Sequence, residues 1–170
     1  MIPEIEQEAT DFDWFAADER GFIGHFTTAG FKLLPKSVSE SAVALKKVTN
    51  YFKQLTPTGI GYHVSGDLDK QTGPFESEGK RAQYLSSFSE MAARGLYSFD
   101  IDTYVRPGLA YFLVAAPVQP VRLDSVPMDV RAIVERTRLK GIRLGETSLI
   151  DYELTLNLYS GPHNSDQAIS

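Results

Sequence analysis

The sequence predicts an α+β fold, a single domain in which a mostly antiparallel sheet carries about three helices packed largely on one face. Three observations lead there. Two stretches, residues 11–27 and 97–116, each read as strand, turn and strand. Three others repeat apolar residues at the spacing of three and four that marks an amphipathic helix. With 170 residues, 42% of them hydrophobic, the chain can bury one sizeable core but not two, so residues 1–159 are assigned to one domain and 160–170 to a polar C-terminal tail.

Residues 11–17 alternate, with Phe12, Trp14 and Ala16 on the expected core side and Asp11, Asp13 and Phe15 on the other. Asp18-Glu19-Arg20-Gly21 supplies turn chemistry, and residues 22–27 resume the β pattern. This hairpin holds the single Trp and is the expected core nucleus. After Gly30 and Pro35, Ser37-Val38-Ser39-Glu40 matches a capping box and predicts the start of a helix, whose inward face is Val38, Ala42, Leu45, Val48, Phe52 and Leu55. Residues 56–79, with five Gly and two Pro, read as a long connection around a short strand at 60–64. Residues 79–95 predict a second helix with Leu85, Phe88, Met91 and Ala92 inward and Gly95 as its C-terminal cap.

Residues 97–105 set Phe99, Ile101 and Thr103 against Asp100, Asp102 and Tyr104, and Arg106-Pro107-Gly108 turns the chain into 109–116, a run apolar on both faces and so a doubly covered strand. Residues 126–139 predict the third helix, with Pro127 in its first turn and Val130, Ile133, Val134 and Thr137 inward. Residues 147–159 give a final alternation: Ile150, Tyr152, Leu154, Leu156 and Leu158 against Asp151, Glu153, Thr155 and Asn157.

The charge balance narrows the partners. Seventeen Lys and Arg against 22 Asp and Glu leave a net charge of -5, which opposes nucleic-acid binding. The absence of Cys removes disulfides, thiolate metal sites and Cys nucleophiles. The first ten residues lack the basic and apolar regions of an export signal, and the apolar run 109–118 is half the roughly 20 residues of a membrane helix. A cytoplasmic protein with no membrane partner is the expectation.

His25, His63 and His163 show no metal-binding spacing, and neither a metal nor another cofactor is expected. Ser37, Ser65 and Ser148 lack a nucleophile elbow, and Gly59, Gly61 and Gly66 do not form a phosphate-binding loop, so no catalytic residue is assigned. His25 stands where Asp11 or Asp13 could face it across the hairpin, either as a structural histidine or beside a pocket closed by the 56–79 connection. Asp100 and Asp102 share a strand face about 7 Å apart, and Asp151 with Glu153 repeats the pattern. Acidic strand faces meeting in one sheet would suit a basic protein partner. The candidate binding residues are therefore Asp11, Asp13, His25, Asp100, Asp102, Asp151 and Glu153. Arg131, Arg136, Arg138, Lys140 and Arg143 form either a solvated helix face or an anion-binding one.

The stretch DWFAADERGFIGHFTTAGFKLLPKS, within residues 12–38, resembles the opening segment of small bacterial proteins, some of them regarded as immunity proteins of polymorphic-toxin loci. That resemblance implies a cytoplasmic α+β protein that binds a partner through a charged surface. Two other readings stand beside it. One is a small-ligand binder or hydrolase with its pocket near His25 and the 56–79 connection; the other is a homodimer that buries Thr155 and Asn157 between subunits.

Overall fold

The computed structural model describes residues 1–30 and 32–156. In chain order it contains α1 (Glu4–Gln7), β1 (Asp13–Asp18), β2 (Ile23–Thr27), α2 (Lys36–Ser39), α3 (Ala42–Gln54), β3 (Tyr62–Val64), α4 (Leu68–Thr72), α5 (Glu78–Ala93), β4 (Tyr97–Ile101), β5 (Ala110–Pro117), a 3-10 turn (Leu123–Ser125), α6 (Met128–Val134), β6 (Arg138–Leu139), β7 (Leu149–Asp151) and α7 (Tyr152–Leu156). The strands form one sheet ordered β3-β5-β4-β2-β1-β6, with β7 paired to β5. The fold is α+β, as expected, and the sheet is mixed. Both predicted hairpins are antiparallel, β1 with β2 and β4 with β5, but β2 and β4 join them in parallel. A parallel joint requires a crossover, and here the intervening chain, which carries α3 and α5, provides it.

Alternation along the strands sends opposite sets of side chains to the two faces. One face gathers Trp14, Phe26, Phe99 and Tyr111 into an aromatic stack, closed over by Leu34, Leu139, Leu144, Ile150 and Tyr152. The other packs Phe15 and Ile23 against Val48 and Phe52 of α3 and Val130 and Val134 of α6, and Phe112 and Val114 against Leu85 and Phe88 of α5. The three longer helices thus share one face. Strand β1 is buried on both sides, with Phe15 and Ala17 as well covered as Trp14 and Ala16, because helices rather than water meet its second face. No helix among the described residues is long and apolar enough to cross a membrane.

Four boundaries differ from expectation. The capping box at Ser37 does not form: Ser37 is buried and bonds the Thr137 hydroxyl at 2.7 Å, while Ser41 caps α3 by accepting from the Ala44 amide. The third helix stops at Val134, since residues 138–139 extend alongside β1 as a short parallel strand and satisfy sheet amides instead. Strand β4 ends at Ile101, where Asp102 turns inward. The final strand is only Leu149–Asp151, because Tyr152 begins α7; Leu154, expected in the core, is exposed. Residues 157–159, His163 and the expected tail lie outside the described residues.

Candidate functional site

The β1–β2–β4 registers bring polar side chains together on the helix-covered face. His25 lies opposite Ser98 and Thr27 opposite Asp100, while Asp13 pairs with Thr27 from the other side. Two cross-strand rows result. In the first, Nδ1 of His25 is 2.7 Å from the Ser98 hydroxyl and Nε2 is 3.0 Å from Oδ1 of Asp13, whose Oδ2 is met by Lys53 Nζ at 2.7 Å from the end of α3. In the second, the Thr27 hydroxyl donates to Oδ1 of Asp100 and the Tyr84 hydroxyl, on α5, donates to Oδ2 at 2.8 Å. The rings of Phe15 and Phe88 flank His25 at 5.5 and 6.2 Å.

Burial alone would raise the Asp13 carboxyl, but the hydrogen bonds and charges of His25 and Lys53 outweigh it and hold it down at about 2. Asp100 goes the other way. Burial raises it, aided by the nearby charge of Asp11, and the hydrogen bonds from Thr27 and Tyr84 only partly offset that. Tyr84 is pushed well above the phenol range by burial and by the adjoining Asp100.

Asp13, His25 and Ser98 have the acid, imidazole and hydroxyl of a hydrolytic relay. Access decides against that chemistry. His25 and Ser98 are both fully buried, at 0% exposure, so no substrate carbonyl can approach the Ser98 oxygen. The row instead satisfies buried polar atoms and reaches solvent only at its Asp13–Lys53 end, where the two side chains are 23% and 54% exposed.

Of the seven residues expected to bind, Asp13, His25 and Asp100 join this cluster, with exposed Asp11 near enough to Asp100 to act on its charge. Asp102 does not belong to it. Fully buried, it accepts the backbone amides of Tyr104, Val105 and Arg106, each at 2.8 Å, and so fixes the β4–β5 turn. The expected acidic sheet face is therefore absent from β4: Asp100 turns to α5 and Asp102 to its own loop. Asp151 and Glu153 are exposed on the far side of β5, with Asp151 accepting the Glu153 amide. The open groove beside Asp13, with a volume of about 280 Å³, is walled by the N-terminal segment and α3 rather than by the glycine-rich connection. That connection instead packs Phe75 on Tyr84, and Leu68 against the α5 side of the sheet.

The sequence reading missed Ser98, Thr27, Tyr84 and Lys53. Polar residues inside otherwise apolar strands mark the first two, but nothing local singles out Tyr84 or Lys53. No group of His, Asp and Glu among the described residues could hold a metal ion. Compared with protein-family models, curated proteins and solved structures, the chain matches none of them.

Proposed function

We propose that this chain is a non-enzymatic protein that binds a basic partner through an acidic rim at its N-terminus. One observation carries the reading. The segment around α1 is tied down from within: the Ile2 amide donates to Ser39 O at 2.7 Å, and Gln7 is buried, donating to Ile2 O and accepting the Leu34 amide, each at 2.8 Å. Its outer side presents exposed Glu4, Glu6, Glu8 and Asp11, with no ion pair among the described residues, around Ile5, which is 79% exposed. A fixed backbone bearing unpaired carboxylates and one protruding aliphatic suits a basic surface with an apolar socket, since long-range charge steers the encounter and the aliphatic anchor holds it.

The cytoplasmic, immunity-like setting implied by the hairpin's resemblance accords with this reading. The hydrolase alternative loses support because His25 and Ser98 are sealed, and the homodimer alternative because Thr155 is buried within its own chain. The test compares the protein with a Glu4→Gln, Glu6→Gln, Glu8→Gln, Asp11→Asn variant as bait in bacterial extract. A basic protein retained at low salt, released at high salt and ignored by the variant supports the proposal. Retention of nothing, or of the same proteins by both baits, removes it.

A further inference from the structure

At the turn end of the first hairpin, the opposite end of β1 from Asp13, four arginines line a polar groove of about 230 Å³: Arg20, Arg122, Arg131 and Arg138. Arg131 and Arg138 belong to the basic run 131–143, whereas Arg20 and Arg122 come from two distant segments that no local pattern connects to it. Backbone contacts place them. Gly21 adopts φ 81°, open to glycine at no steric cost, and its carbonyl accepts the Leu123 amide at 2.8 Å, which draws Arg122 over the turn beside Phe22. Arg138 Nη1 donates to the Asp18 carbonyl at 2.9 Å. The guanidinium carbons of Arg20 and Arg122 stand 5.3 and 5.7 Å from the centre of the same Phe22 ring, so two like charges are held at one aromatic.

The surrounding carboxylates leave much of this donor capacity unused. Glu135 is 3.9 Å from Arg131 and 3.8 Å from Arg138, beyond hydrogen-bond reach. Glu19 is engaged by Arg143 at 2.7 Å, and Asp124 reaches only Nε of Arg122, at 3.3 Å. Arg20 pairs with Glu146 at 3.1 Å through Nη1, while its buried Nε has no hydrogen-bond partner among the described residues.

We infer that this groove binds a diphosphate group of a small molecule. Planar guanidinium forks match phosphate oxygens two at a time. Donors left outside hydrogen-bond reach of a carboxylate remain on three separate side chains, Arg122, Arg131 and Arg138, and two linked phosphoryl groups span them better than one. This site is independent of the acidic rim, so either can fail without the other.

Titration calorimetry with inorganic pyrophosphate at low ionic strength tests the inference, with sulfate as the competing anion. Arg122→Gln and Arg131→Gln remove groove charges from partly exposed side chains, and Lys70→Gln removes an exposed charge paired with Asp67 elsewhere on the surface. The expected result is saturable binding with one site per chain, at least tenfold tighter than sulfate. Either groove variant weakens it tenfold or more at an unchanged melting temperature, and Lys70→Gln leaves it as it was. Absence of saturable binding, equal affinity for sulfate, or equal weakening by Lys70→Gln overturns the assignment.

Discussion

The centre of the sheet is buried on both sides, and the two sides are held by different physics although β1, β2 and β4 contribute to both. Trp14 and Phe26 stack at 4.3 Å and Phe26 and Phe99 at 5.1 Å on one side, while Tyr111 meets both Trp14 and Phe26 edge-on. On the other, the neighbouring residues Asp13, His25, Thr27, Ser98 and Asp100 hydrogen-bond across the strands. The aromatic side gains from contact area, which is roughly additive and tolerant of direction. The polar side gains little net energy and depends on every member being satisfied, since a lone buried donor or acceptor costs its whole desolvation. Both faces bury apolar side chains, but only the helix-covered one also carries hydrogen-bonded polar rows that tolerate no missing member.

The contrast is broken most directly by Trp14→Ala. Deleting this fully buried indole should cost about 3–5 kcal/mol, read as a fall in the urea midpoint. A variant that melts like the parent would show that the aromatic side is not the core.

On the polar side, Asp13→Asn should cost up to roughly 2 kcal/mol at neutral pH, because its carboxyl is held at about 2 against an ordinary 3.8. A depressed carboxylate contributes fully above its unfolded value and loses that contribution as pH falls through its folded one. The gap between parent and variant should therefore close between about pH 4 and pH 2, followed by chemical denaturation at stepped pH. Asp100, raised by burial, has the opposite sign: relative to Asp100→Asn, the parent should gain stability as the medium is acidified below the folded value of Asp100. A gap that is flat with pH in both variants contradicts this account of the two rows.

Ser98→Ala leaves His25 Nδ1 buried without its partner and should cost on the order of 1–2 kcal/mol. The shift of the His25 ring resonances in NMR separates this loss from simple loosening of the core. The smallest effect belongs to Lys53→Gln, under about 1 kcal/mol, because its ammonium is 54% exposed and screened. A larger loss would mean that the Asp13 end of the row is drier than its exposure indicates.

Legibility followed the range of the interaction. The first hairpin, the doubly buried β5 and the second helix were readable because alternation, turn residues and the Gly95 stop act within a few residues. Ser37 misled for the same reason: it carries a cap signature, but a bond to Thr137, a hundred positions away, competes for its hydroxyl. Leu154 misled likewise, its alternation with Tyr152 being overridden when the chain turned helical.

Asp13 and His25 could be placed near one another from the hairpin alone, since the turn sets their register. Their partners could not. Ser98 meets His25, and Asp100 meets Thr27, only because β4 docks in parallel beside β2, a choice made by the crossover and the helices packed on it. The four arginines of the groove are joined in the same way by the β1–β2 turn, the Arg122 bridge, α6 and β6. Local patterning settled most of the longer strands and helices, because backbone geometry and burial periodicity are properties of neighbouring residues, but not the segments 138–139 and 152–156. Which strand lies beside which beyond the hairpins, and hence the completion of each polar cluster, was left to long-range packing, where the side chains that meet share no local signature.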